Sequence, residues 1–383
     1  MLWVRRAGSL NEIDPAEWDS LAGDGGFYLS YEWLRMVEAD KSATAEYLLV
    51  NDGQDIIAAV PVYDVDTEPL RLYQAGSLAA GRWPGHYLLA GARRGFINGV
   101  LAAPNLTARQ RNEAFHLLLV AIGERVRERG ADGVLFLHLT TAAADELLSA
   151  DRDGCAAKVP VLTIVDSVID VPGSSFGDYL TAIPPQYRRK IRREMRVFGK
   201  AGYETAEVGL RDCLPEAGLL VCNLQHRYGH MDDDEVWRGE LGQMAALLGE
   251  RGVVFSARRE GALAGFALGY PHGETLYMRR CGFDYDRLCD AFEYFNLGYY
   301  LPLRYAYRQG LKRLHLGPTA YEAKVRRGAT LAPLWGVAAF TSESGAGDAA
   351  LAWNRKAASE WFDSYGQGSP VLSDAGWARW GCG

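Results

Sequence analysis

The chain has 383 residues, 48% of them hydrophobic and 23% charged. That is enough to bury a substantial core and too long for one ordinary domain, so two or three are expected. The formal charge of −7 excludes a globally basic nucleic-acid coat but leaves room for a local basic site. Apolar runs such as 116–122 fall far short of the roughly 18 residues that span a bilayer, and the N-terminal MLWVRRAGSLNEIDPAEW lacks the apolar stretch of a signal peptide, so the expected location is the cytoplasm. The six cysteines, Cys155, Cys213, Cys222, Cys281, Cys289 and Cys382, form no CxxC pair and read as free thiols, with no metal site.

In chain order, Tyr47–Val50 is strand-like, Asn51-Asp52-Gly53 gives a turn, and Ile56–Tyr63 supplies a second strand. A helix opens on Thr107 as N-cap, carries Phe115, Leu118, Ile122 and Val126 on one face, and closes at Gly130; Gly133–Leu139 is then a strand. The turn-rich Val171–Ser175 marks a boundary. After it a short helix with Phe176 and Tyr179 breaks at Pro184-Pro185, and a second helix begins. Six cations fall between Arg188 and Arg196, while Ile191, Met195 and Phe198 share the opposite face. This amphipathic helix with a cationic face is a candidate phosphate site, for a nucleotide or an RNA end.

The first pattern then returns. Val253–Ala257, the turn Arg259-Glu260-Gly261 and Leu263–Tyr270 form a hairpin, Tyr277–Phe283 is a strand, and a helix with Phe292, Phe295, Tyr299, Leu303 and Ala306 on its inner face ends at Gly310 before Leu314-His315-Leu316. Hairpin, further strand, helix, strand thus occurs twice. A helix between neighbouring strands implies a local parallel pair, so the sheets are mixed and the class is α/β.

Three segments, YLTAIPPQYRRKIRREMRVFGKAG, FALGYPHGETLYMRRCGFDYD and LRYAYRQGLKRLHLGPTAYEAKVRRGATLAPL, resemble the Fem-type (FemABX-like) aminoacyltransferases and their tandem relatives in the GNAT superfamily. The resemblance covers 175–340 well and the first half more weakly, through FYLSYEWLRMVE, the hairpin at residue 53 and the 107–139 unit. It implies two GNAT-like domains in tandem, each a mixed, mostly antiparallel sheet flanked by helices, at 1–170 and 171–345, with a helical tail at 346–383. It also implies an enzyme that transfers an acyl or aminoacyl group to an amine without a covalent enzyme intermediate.

The local chemistry bears on the donor. An ordinary GNAT holds the pyrophosphate of coenzyme A on backbone N–H groups of a Gly-rich turn at a helix start. Here the corresponding stretch, Asp284–Ala291, has no glycine and three aspartates; Ala102–Leu106 in the first half has none either, and Gly91–Gly95 lies in the wrong context. This tilts the donor toward aminoacyl-tRNA, its acceptor end meeting Arg188, Arg189, Arg192 and Arg193, with acyl-CoA or a carrier-protein thioester as alternatives. No tightly bound cofactor is expected; aminoacyl-tRNA or acyl-CoA is a co-substrate.

Lys324 matches the family's C-terminal lysine, a candidate for steadying phosphate or an oxyanion, in one basic rim with Arg326 and Arg327. Tyr321 and Tyr294 are candidates for binding substrate. Glu293 and His226 are candidate proton acceptors, with His230, Asp284 and Asp286 nearby. His138 and His315 occupy matching strands and read as packing. Asp232–Glu235 lacks the spacing of a calcium loop and reads as a helix cap. The acceptor is an amine on a cell-wall precursor or a small natural product, and a compact chain favours a small soluble one. A catalytically silent GNAT-like binding module is the competing class.

Overall fold

The computed structural model describes residues 1–23, 26–65, 68, 71–74, 85–150, 157–231, 233–340 and 346–382; Cys155 and Asp232 lie outside them. The chain forms two compact units, one of residues 1–166 with 331–383 and the other of 167–330.

The first unit begins with β1 (Leu2–Ala7), α1 (Pro15–Ala22), α2 (Tyr31–Glu38), β2 (Ala43–Asp52) and β3 (Asp55–Val65), and continues through β4 (Tyr87–Ala90), β5 (Leu101–Ala102), α3 (Ala108–Arg129), β6 (Gly133–Leu139), α4 (Thr141–Ser149) and β7 (Ala157–Asp170). The local causes are those in the sequence. Gly53 adopts φ 63° at the hairpin turn, a conformation that costs a side-chain-bearing residue about 1 kcal/mol. The Thr107 hydroxyl accepts from Gln110 N at 3.3 Å while the Gln110 side chain accepts from Thr107 N at 3.1 Å, a reciprocal cap that satisfies two orphan donors. Trp18 and Trp33 are fully buried in its core.

The second unit holds α5 (Phe176–Ala182), α6 (Pro185–Phe198), β8 (Glu204–Val208), α7 (Leu210–Arg227), α8 (Asp234–Leu247), β9 (Val253–Arg259), β10 (Ala262–His272) and β11 (Thr275–Phe283). After these come α9 (Glu293–Phe295), a π-helical turn at Asn296–Tyr300, α10 (Leu301–Gln309), β12 (Arg313–His315) and α11 (Tyr321–Val325). Phe255, Leu276, Leu297, Tyr300, Leu303 and Leu314 lie in one buried cluster between sheet and helices, joined by Ile191 and Phe198 of α6. The chain then returns to the first unit with β13 (Thr330–Phe340) and α12 (Ala346–Tyr365).

The two units repeat one pairing scheme. In the first unit β1/β2, β2/β3 and β3/β4 are antiparallel, β4/β6 parallel and β6/β13 antiparallel. In the second, β8/β9, β9/β10 and β10/β11 are antiparallel, β11/β12 parallel, and β12 pairs antiparallel with Val168–Asp170 of β7. Each is a mixed, mostly antiparallel sheet flanked by helices: the fold is α/β, with two GNAT-like domains in tandem. The last strand of each scheme comes from outside that half's own run of sequence. The expected borders at 170 and 345 therefore differ from the observed 166 and 330. Residues 346–383 do not stand apart as a tail, because buried Asn354 accepts from Leu162 N at 2.7 Å and donates to Pro160 O, Trp377 donates to Leu331 O, and Trp380 packs edge-on to Trp335 at 4.6 Å.

Candidate active site

The parallel pair in each sheet opens into a fork, and the two forks differ. In the first unit β4 follows β6 only to Ala90 and Phe136, and the next place on β6 is taken by Asn98, which bridges to Leu139. Asn98 is buried, accepts from Ala92 N and Gly99 N, and donates to Ala90 O. Gly91, at φ 90°, leaves room for it, since a Cβ there would sit 1.9 Å from the Asn98 amide oxygen. Gly91–Gly95 is thus no anion cradle: the fully buried Arg93 guanidinium is paired with Asp40 at 3.1 Å and Glu68 at 2.8 Å.

In the second unit β12 follows β11 only from Thr275 to Tyr277. Beyond it, among the described residues, Met278–Phe283 pairs with β10 on one edge and carries no strand on the other. The chain leaving β12 bends away through Gly317, Thr319 and Ala320, all at positive φ, and the two non-glycine positions cost about 1 kcal/mol or more each. Lys324 holds that bend. It is 4% exposed, and its Nζ donates to the carbonyls of Leu316, Gly317 and Pro318 at 3.0, 2.7 and 2.8 Å. The expected basic rim is not what the structure builds. Lys324 and Arg327 are buried, and Arg326 pairs along α11 with Glu322. Arg327 donates to Glu194 at 2.7 Å, to Tyr300 OH at 2.9 Å and to Ala323 O, with its guanidinium 3.3 Å over the Phe295 ring. A buried guanidinium needs such partners, and Glu194 supplies the charge.

Glu194 changes the reading of α6. It lies within the cationic run yet is fully buried, and it also accepts from Tyr300. Arg188 does not join the exposed face: its guanidinium donates to Thr181 O and Ile183 O, closing the end of α5. Arg189, Lys190, Arg192, Arg193 and Arg196 are exposed and make no ion pair among the described residues. Arg193 lies 6.0 Å over the Phe292 ring. An unpaired row of like charges is a standing cost unless an anion settles on it.

Glu293 is buried and engaged. It accepts from Tyr203 OH at 2.6 Å, Cys289 N at 2.8 Å and Ala291 N at 3.0 Å. Those two backbone N–H groups belong to the turn where a GNAT would hold pyrophosphate, so the chain's own carboxylate fills that position. The remaining polar groups come from α7 and the π turn. His226 is exposed, with Nε2 3.4 Å from the Cys222 sulfur; His230 is exposed beyond the helix end. The Tyr294 and Tyr299 hydroxyls lie 3.3 Å apart, because the π turn brings side chains five apart onto one side. Burial raises both phenols, Tyr299 to about 12, so they stay protonated and act as donors at neutral pH. Burial likewise pushes the Cys281 thiol up to about 11, which leaves it a poor nucleophile. Tyr321 is half-buried over the Lys324 ammonium at 5.7 Å. Asp284 pairs with Arg287 and accepts from Asp286 N. His315 is buried on β12, 5.0 Å from the Tyr277 ring. Asp233 caps α8 and Asp234 pairs with Arg238. Among the described residues no cluster of His, Cys, Asp and Glu is placed to hold a metal ion, and no helix is long and apolar enough to cross a membrane.

Sequence reasoning missed Glu194, Tyr299 as a polar partner, and the β11 edge. Only the Tyr294–Tyr299 pair had a sequence signal, the polar ends of EYFNLGYY, and it needs the π turn to be read.

A doubled GNAT-like fold with one filled fork and one open one defines the class as an acyltransferase. Solved structures of the same fold include one described as FemX, with TM-score 0.62 and 11% identity over 87% of this chain and 96% of that one. A conserved protein from Bacteroides thetaiotaomicron gives TM-score 0.57 and 12% identity over 88% and 100%. A tandem GNAT protein from the clavulanic acid pathway gives TM-score 0.48 and 13% identity over 90% and 100%. No curated protein matches the sequence. The pattern of the FemAB-like family, described as peptidoglycan biosynthesis and recognition, matches residues 102–359: the chain belongs to that family.

Proposed function

We propose that the protein makes an amide by passing an aminoacyl group from aminoacyl-tRNA to the amine of a small acceptor. The observation that carries this is the occupied turn: Glu293 takes the N–H groups of Cys289 and Ala291, where a coenzyme A pyrophosphate would need them, while α6 reaches the end of the turn with Arg193 over Phe292 and carries five exposed cations with no ion pair among the described residues. In this reading α6 holds donor phosphate, the ester lies along the β11 edge, and the acceptor amine attacks its carbonyl directly. The Tyr294 and Tyr299 phenols donate to the developing oxyanion, and His226 takes the proton of the attacking amine and passes it to the ribose oxygen, which leaves as a hydroxyl when its bond to the acyl carbon breaks. The family description favours a cell-wall precursor as acceptor over a natural product. The bare β11 edge favours a second reading, a carrier-protein thioester, because pantetheine amides can pair with a free strand and need no pyrophosphate site.

The test is competition. The protein is incubated with mixed aminoacyl-tRNAs, acyl-CoAs and a pantetheine thioester plus an amine acceptor, and the donor consumed is identified by mass spectrometry. Loss of aminoacyl-tRNA with a matching amide is expected. Consumption of acyl-CoA alone would overturn the reading.

A further inference from the structure

The 284–292 turn is bordered by a cation–aromatic contact at each end. At Phe292 stands Arg193 of α6; at the other end the Arg227 guanidinium lies 4.5 Å over the Tyr285 ring. The next residue, Tyr228, is 72% exposed. Its N–H donates to Gln225 O and closes α7, but its ring stacks on nothing among the described residues. Its hydroxyl lies within electrostatic reach of Tyr285, Tyr294 and Tyr299. Water-exposed aromatic area that stacks on nothing among the described residues, one residue along the chain from a guanidinium already over a second ring, is the surface on which planar rings stack.

We propose that Tyr228, with the Arg227–Tyr285 pair, is a stacking platform for a nucleobase whose attached phosphates reach the cationic face of α6. This rests on the nucleic-acid donor reading above and adds where the base goes. Phosphates supply affinity without caring which base is present, while an aromatic face adds a base-dependent increment. A base joined to phosphate is common to the single-stranded 3′ end of an RNA and to a free nucleoside diphosphate; the length of the cationic row, from Arg189 to Arg196, favours the RNA.

The experiment measures fluorescence anisotropy with an RNA heptamer ending in CCA, the same heptamer abasic at its last position, adenosine diphosphate, and phosphatidylglycerol vesicles. The proteins are wild type, Tyr228→Ala, Tyr228→Phe and Arg192→Ala/Arg193→Ala. Tyr228→Ala should weaken the intact heptamer by roughly 5–150-fold and leave the abasic one unchanged, with Tyr228→Phe close to wild type. The α6 double variant should weaken both heptamers alike. Equal binding of the intact heptamer by wild type and Tyr228→Ala would overturn the platform while leaving the donor reading standing. Failure of wild type to bind either heptamer would count against the donor reading; Tyr228-dependent binding of adenosine diphosphate would then sustain the platform with the smaller ligand. Tyr228-dependent binding to vesicles instead would overturn it in favour of a membrane surface.

Discussion

Lys324→Met separates a lysine that holds the backbone from one that holds substrate. Methionine keeps the length and apolar contacts of the stem and deletes the three N–H donors. Charge-assisted hydrogen bonds contribute about 1.5–3 kcal/mol each, and burying the ammonium offsets part of that. Gly317 O keeps the Ser167 hydroxyl as a donor, whereas Leu316 O and Pro318 O lose the Lys324 ammonium. The net loss should be about 3 kcal/mol, which for a unit of this size lowers Tm by roughly 6–12 °C. With the bend at Thr319–Ala320 released, kcat should fall as well. Calorimetry on Lys324→Met and on Lys324→Arg, whose planar fork cannot copy a compact ammonium among three carbonyls, reads the effect directly. A wild-type Tm with a raised donor KM would refute the argument and return Lys324 to the substrate.

Glu194→Ala leaves the buried Arg327 guanidinium without its carboxylate and should cost about 3–5 kcal/mol, seen as a lower urea midpoint. Arg189→Ala/Arg192→Ala/Arg193→Ala/Arg196→Ala should leave Tm unchanged yet raise donor KM, by a factor that shrinks as salt rises; Arg188→Ala should instead lower Tm slightly, since its bonds close α5. Burial lowers His138 to about 4 from 6.5, so the unfolded chain takes up its proton first. Stability should therefore fall by about 3 kcal/mol as pH drops from 6.5 to 4, a slope that His138→Phe should flatten in acid melts.

The fold was legible where its signals are local. The turns at Gly53 and Gly261, the Thr107 cap and the helix stops at Gly130 and Gly310 each depend on a few neighbouring residues, so hairpins and helices could be placed and the repeat recognised. The site was less legible because burial decides it. Within RRKIRREMR, Glu194 looks like one more surface charge until its partners on α11 and the π turn are known. Lys324 looks exposed beside Arg326, and only three carbonyls eight to six residues upstream reveal otherwise. Glu293 reads as a base, yet two of the three donors that occupy it are backbone groups, which leave no trace in sequence, and the third, the Tyr203 hydroxyl, comes from 90 residues away.

The pairing of β6 with β13 joins Leu139 to Trp335, strands about 200 residues apart in the chain. During synthesis at roughly 5–20 residues per second, β6 emerges tens of seconds before the strand that covers its edge. The second unit lies wholly inside that interval and can close first, leaving a half-finished sheet exposed until β13 has emerged. An early stop between 330 and 340 would therefore damage the beginning of the protein more than its middle. Neither half of the gene, cut at the repeat, encodes a complete sheet.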